Sequence, residues 1–301
     1  MPSTTNRIDP TSGDDSSTGG DKGASAGGAR FAPPNYPLVF ATLLRNSLVR
    51  ELSFRWNFVI EFLTMAFWFS AQCVLYMLIY ANVTDINGWD RWSFFAFLAT
   101  GMIVNTLIET FFMPNCANFG ELIRTGNLDF VLLKPIDTQF LVSFERLELG
   151  ALSNLVLALS LLGYALWGLG RPIGVAQAAG YIGLIGVAVT FYYSLMLMMA
   201  STSVWFGRNQ GLYDFWFYIT VFARYPRNVY RGSFTGDALR LTFSYAIPIL
   251  VVATVPAELV TGKLTEPSWL WSVAVAAAAG GLVVSRLVFR RALLSYRSAS
   301  S

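Results

Sequence analysis

Four stretches of this chain, residues 58–80, 92–113, 149–169 and 178–204, are predominantly apolar, and each is about the 17–25 residues that cross a ~30 Å hydrocarbon core as a helix. Each is flanked by Trp, Tyr or charged residues of the interfacial kind. A fifth run, 273–287, is built from Ala, Gly and Val, follows Trp269 and Trp271, and ends among Arg286, Arg290 and Arg291. That combination reads as a last span packed closely on its neighbours through small residues. The 301 residues would allow two soluble domains, but 54% are apolar and only 13% charged, against roughly a quarter charged in a soluble domain. Mean hydropathy is +0.51. A soluble fold could not hide that much apolar surface, so the chain reads as an all-α integral membrane protein.

Between Arg208 and Lys263 two segments compete to be a further span. Residues 211–223 are short and contain Asp214; residues 241–260 are long enough but carry Pro248 and Pro256. Whichever crosses, the other is interfacial or re-entrant, and the total is six. If 241–260 crosses, 18 of the 21 Lys and Arg fall on the cytoplasmic side; if 211–223 crosses, 14 do. Both arrangements put the two termini inside, and charge counting favours the first.

Residues 1–34 are rich in Ser, Thr, Gly and Asp, too polar to bury a core and without the apolar centre of a signal peptide, so a disordered cytoplasmic tail is expected. Residues 298–301 form a short C-terminal tail. Residues 36–55 mix Phe40, Leu43, Leu44, Leu48 and Leu52 with Arg45, Arg50 and Arg55, which suits an amphipathic helix on the membrane surface leading into the first span.

Several chemistries are excluded. The chain has no histidine, so Ser-His-Asp, Cys-His and His-based zinc sites cannot form within it. Two cysteines, Cys73 and Cys116, are too few for a disulfide framework and read as small hydrophobes. No G-x-x-x-x-G-K-[ST] occurs and no soluble stretch is large enough for a nucleotide-binding fold. Glu61 and Glu109 fall in or near spans and are candidates for a substrate path by default, with snorkelling or pairing to Arg50, Arg55 or Arg146 as the structural alternative. Gly180, Gly183 and Gly186 recur every three residues, a pattern for close helix packing. Asn82-Val83-Thr84 matches a glycosylation acceptor but sits against the first span.

The most informative stretch is the loop after the second span, FGELIRTGNLDFVLLKPID, residues 119–137. Charges at Glu121, Arg124, Asp129 and Lys134 alternate with an apolar cluster, and Gly126 and Pro135 punctuate it. A helix of two or three turns fits, with one face free for a partner, or lying on the membrane. Its glutamate, glycine, leucine, acidic residue, leucine and proline, here Glu121, Gly126, Leu128, Asp129, Leu132 and Pro135, resemble the cytoplasmic loop of ABC-2-type exporter permeases. Residues Ala223-Arg224-Tyr225-Pro226, then Ala246-Ile247-Pro248 and Val255-Pro256-Ala257-Glu258, are similar to the subgroup of that family with a YP…IP…PA series.

The resemblance implies a permease domain over residues 35–297, with six spans, an amphipathic N-terminal helix, a cytoplasmic coupling helix and a re-entrant hairpin. On that pattern 211–223 would be the fifth span and 241–260 the hairpin, against the charge count. It implies a separate ABC ATPase that binds ATP and Mg, held by the coupling residues Glu121, Arg124, Gly126, Leu128, Asp129, Leu132 and Pro135. It also implies a second permease, the same chain or another, membrane lipid around the spans, and a transported small molecule or lipid, with no nucleic acid. The chain itself would be a transport subunit, not an enzyme, and would need no cofactor of its own. The expected location is a bacterial inner membrane. A proton- or ion-coupled secondary transporter is the first rival, but neither an internal repeat nor matched broken helices are visible. A membrane-embedded enzyme is the second, and it lacks histidine and any facing cluster of acids.

Overall fold

Apolar runs fold as helices because backbone shielded from water must satisfy its own N–H and C=O groups, and a helix does so within one segment. In the computed structural model, which describes residues 35–52, 55–206, 211–263 and 269–296, the order begins with α1 (Tyr36–Leu52) and α2 (Arg55–Asn82). A small hairpin, β1 (Asp85–Ile86) and β2 (Trp89–Asp90), leads into α3 (Arg91–Phe111). Then come α4 (Met113–Arg124), α5 (Leu128–Leu132), α6 (Thr138–Phe144), α7 (Ser153–Leu169), α8 (Val175–Ser201), α9 (Ser203–Phe206), α10 (Gly211–Ala223), α11 (Phe234–Leu241), α12 (Ile249–Val260) and α13 (Leu270–Ser295). The tails 1–34 and 298–301 lie outside the described residues.

Among the described residues, five helical stretches are long and apolar enough to cross a membrane: 62–82, 91–124, 149–169, 175–206 and 270–295. They correspond to the five expected spans. The β-hairpin turns on Asn87 and Gly88, both with positive φ, as a two-residue turn between strands requires. Asp90 then caps α3 by accepting from the N–H groups of Trp92 and Ser93.

The core lies where α3, α8 and α12 meet, and α7 and α13 contribute to it by packing against α3 and α8 respectively. Two-thirds of the apolar window of α3 (67%) is buried within the chain, but only 6% of that of α2, which therefore shows Leu63, Phe67, Trp68, Leu75 and Leu78 to its surroundings. Thr100 and Tyr181 share a buried hydroxyl hydrogen bond of 2.9 Å between α3 and α8. On α13 the small residues do bring helices together: Ala274 and Ala278 are buried, and a Cβ at Gly281 would lie 3.2 Å from Ser194 Cβ. The three glycines of α8 divide. A Cβ at Gly180 would lie 3.0 Å from Leu259 Cδ2, whereas at Gly183 or Gly186 it would meet nothing within 4 Å, so only the first supports close packing.

The competition between 211–223 and 241–260 resolves by where their ends lie. The chain around Asn228 and the chain from Glu258 to Lys263 line the same cavity as the β-hairpin residues Gly88 to Asp90. Asn87 Nδ2 donates to Val229 O at 3.5 Å, and Lys263 Nζ to Gly88 O at 2.6 Å. The segment thus leaves and returns on one side of the bundle. In contrast, α10 starts beside Met199 near the far end of α8 and finishes where Tyr230 donates to Phe222 O, so α10 makes the crossing. Residues 234–246 and 249–260 meet at 85°, at a π-turn over Thr242–Ala246 and at Pro248, which has no N–H to carry a helix forward.

This geometry fits the re-entrant arrangement and disagrees with the charge count, which favoured 241–260 as a straight span; the 85° bend rules out a straight helix there. Two of the four arginines that weighted the count meet local acids: Arg240 pairs with Asp237 at 3.3 Å, and buried Arg227 lies close enough to Glu258 to feel its charge. A compensated arginine carries little information about sidedness. By itself α10, 13 residues and about 20 Å, is shorter than the usual span.

Candidate functional site

The bundle has two chemically distinct ends. At the loop end, residues 119–137 do not form the single helix of two or three turns that the spacing predicts. Residues 119–124 are the last turns of α4, which continues α3 with Pro114 in its first turn, a position where a missing N–H costs nothing. Gly126, at φ +74°, breaks the helix, and the five residues of α5 follow.

This break sorts the expected coupling residues. Phe119 is fully buried, its ring centroid 5.5 Å from that of Phe289. Leu128 is also fully buried, so its side chain packs inside the chain and is not available to a partner. Leu132 is 40% exposed, Phe130 68% and Leu133 80%, and these three form the apolar tip. Lys134 and Pro135 are exposed beside them. Glu121 and Arg124, one turn apart on the surface, close on each other with bonds of 2.6 and 2.9 Å. Asp129 lies next to Tyr296, whose phenol is pushed up by burial and by that carboxylate.

Beneath the tip is a polar clasp that the sequence pattern did not reveal. Asp137 accepts from both terminal nitrogens of Arg286 on α13, and also caps α6 by accepting from Phe140 N at 3.1 Å. The Arg286 hydrogen bonds, working against partial burial, hold the Asp137 carboxyl below its ordinary range. Arg286 also donates to Gln139 Oε1 at 2.6 Å; Gln139 in turn donates to Tyr193 OH at 3.0 Å, and Ser143 shares a 2.7 Å bond with the same hydroxyl. Asn115 ties α4 to the chain after α6, donating to Ser143 O and Arg146 O and accepting from Arg146 N. The N-terminal helix docks here too, through Ser47 accepting from Leu147 N and Arg50 donating to Leu147 O.

Of the two acids read as candidates for a substrate path, Glu109 has a described side chain. Glu109 accepts from Asn105 Nδ2 at 2.7 Å on its own helix. The side chain of Glu61 lies outside the described residues. Among the described residues no three Cys, Asp or Glu side chains converge as a metal site requires.

At the hairpin end lies a cavity of about 590 Å³, lined by Trp89, Asp90, Trp92, Arg171, Asn228, Glu258 and Lys263 among others. Lys263 Nζ pairs with Asp90 Oδ1 at 2.7 Å and stands 5.5 Å from the centre of the Trp89 ring. Burial pushes the Asp90 carboxyl up, but the bonds from Lys263 and Ser93 outweigh it and leave it below its ordinary value. Trp92 sits against Gly168, where any Cβ would overlap the indole. No sequence motif joins these residues, because they come from four separate connections.

Residues 66–300 match the family model described as ABC-2 family transporter protein. No curated protein and no solved structure matches the chain.

Proposed function

We infer the following role for this chain, which belongs to the ABC-2 family of transporter proteins: it is the membrane permease of an exporter driven by a separate ABC ATPase, which docks at the loop end. The observation that carries the docking face is the exposed tip Phe130, Leu132 and Leu133 on a loop whose other side is locked into the chain by Leu128 and Asp137. Large apolar side chains held rigidly at the end of a bundle suit a protein groove, since ordering them on binding costs little. Glu121, Arg124, Gly126, Asp129 and Pro135 surround or shape that tip, and ATP and Mg belong to the partner.

In this reading the loop end is cytoplasmic, the hairpin end faces outward, and the exposed side of α2 meets lipid or a second permease, either a copy of this chain or a different one. The cargo is a small amphipathic molecule or a lipid, with Glu61 and Glu109 near its path. The setting is a bacterial inner membrane with both termini inside.

Co-purification tests the reading: the tagged chain extracted from its own membranes should carry an ATPase, and Leu133→Glu should lose it while inserting normally. An ATPase retained by that variant at full stoichiometry would remove the docking face. Sidedness is tested separately. With Cys73 and Cys116 replaced, Thr235→Cys, exposed beside the cap of α11, should react with an impermeant maleimide in intact cells. Reaction only after permeabilisation would invert the orientation.

A further inference from the structure

The cavity at the hairpin end contains a largely buried carboxylate that no donor among the described residues bonds directly. Glu258 is only 6% exposed and lines the cavity; its backbone carbonyl accepts from Lys263 N, but its carboxylate takes no hydrogen bond or ion pair among the described residues. Arg227 and Arg231 act on it through space, but neither lines the cavity. A carboxylate offers about four acceptor positions, and one buried without donors is held at a cost that a donor placed in the cavity would relieve.

The wall also carries a cation without a partner. Arg171 follows the left-handed turn at Gly170, and no hydrogen bond or ion pair engages its guanidinium among the described residues. The remaining charged pair of the wall, Asp90 and Lys263, satisfies itself. After this internal pairing, the Glu258 carboxylate, the buried Asn228 Oδ1 and the Arg171 guanidinium remain on the same wall without a hydrogen-bond partner among the described residues. The aromatic residues beside them, Trp89 and Trp92, are of the type that sits at the level of lipid headgroups.

We propose that this cavity binds a zwitterion carrying a protonated amine and a phosphate, the ammonium donating to Glu258 and the phosphate accepting from Arg171. An ammonium brings three donors to the carboxylate, and a guanidinium matches phosphate oxygens as a fork. A purely anionic ligand would leave Glu258 unsatisfied and face its charge. A purely cationic one would leave Arg171 unused and meet Lys263. The volume of about 590 Å³ admits a phosphoethanolamine head with water around it. The same chemistry can arrive on a bilayer lipid or as a free solute. Its part in export rests on the permease reading; the binding itself does not.

The test uses the full chain purified in a neutral maltoside detergent. Native mass spectrometry compares retention of dioctanoyl phosphatidylethanolamine and dioctanoyl phosphatidylglycerol, and calorimetry measures free phosphoethanolamine. The wild-type chain should prefer the ethanolamine lipid at least tenfold. Glu258→Gln should bring the two lipids to parity, and Arg171→Gln should weaken both. Binding of the free head at the lipid's affinity would identify a solute, and retention of the lipid alone a bilayer headgroup. Equal retention of the two lipids by the wild-type chain, or an unchanged preference in both variants, would overturn the proposal. Because Glu258 is buried near Arg227, the variants are first compared in thermal unfolding, and the exposed Arg171→Gln carries the test should Glu258→Gln unfold. ATPase capture is measured on the same preparations. Capture without lipid preference sinks the cavity alone, and preference without capture sinks the permease reading alone.

Discussion

The two ends of the bundle solve opposite problems. At the loop end the charged groups are tied down, Asp137 to Arg286 and Glu121 to Arg124, and the apolar side chains Phe130, Leu132 and Leu133 point outward. At the hairpin end the tryptophans turn inward against Gly168 and Lys263, and charged side chains line the open space. The first surface gains by excluding water against a large partner; the second can offer specific bonds to something small. The two proposals thus assign a partner protein to one end and a headgroup to the other, and the contrast can be attacked from either side.

The largest effect is expected at the apolar tip. Burying one unpaired carboxylate at a protein contact costs several kcal/mol, against ~8 kcal/mol for a whole micromolar complex. Phe130→Glu or Leu133→Glu should thus lower ATPase capture by more than about a hundredfold, with membrane yield unchanged. Leu128→Glu should fail differently, by loss of folded chain, since that side chain is wholly inside. Quantifying yield and capture together separates the two, and equal behaviour of Leu128 and Leu133 variants would erase the distinction between core and tip.

Next in size is Gly168→Ala. The new methyl overlaps the Trp92 indole, and relieving such crowding typically costs about 1–3 kcal/mol. Thermal unfolding should fall by several degrees while ATPase capture is untouched. A variant as stable as the parent would show that the indole can move aside.

Loss of the clasp should be smaller in stability and clearer in pH dependence. The folded carboxyl of Asp137 is held low by Arg286, so its contribution is fully present above the ordinary aspartate value, near 3.9, and disappears as pH falls through the depressed folded value. Unfolding temperature of the parent should drop in that acid window, and that of Asp137→Asn should change less. Parallel pH profiles would show that the clasp contributes nothing. The smallest effect is Glu121→Gln, which opens a solvent-screened pair one turn apart and should leave the unfolding temperature unchanged. A shift, measured in the isolated chain, would mean that the pair is more than a surface contact.

The spans were legible in the sequence because hydropathy over about twenty residues is a bulk property that no local contact can reverse. The hairpin could have been read as well, since Asn87-Gly88 is a strong two-residue turn signal. The loop at 119–137 was legible as a short helical connection and illegible in detail. Gly126 takes a left-handed conformation, and that single turn decides that Leu128 faces in while Leu133 faces out. Charge counting disagrees with the geometry at 224–240 because it treats every arginine as free, whereas Arg240 is paired and Arg227 buried near Glu258. The cavity could not be read at all: Asp90 and Lys263 are 173 positions apart, and only the return of the hairpin brings them within 2.7 Å.

The continuity of α3 with α4 has a mechanical consequence. The 34 residues from Arg91 to Arg124 form a rod of about 51 Å that begins at the cavity rim and ends beside the apolar tip. Its single interruption, Phe112, is bridged by helical bonds to Ile108 O and from Cys116 N, so little motion is lost there. Pivoted at its cavity end, the rod would carry its other end about 4 Å for a tilt of about five degrees. Whatever pulls on the loop therefore acts on Trp92 through a lever, and stiffness along α3, more than any single contact, would set how far a stroke at one face is felt at the other.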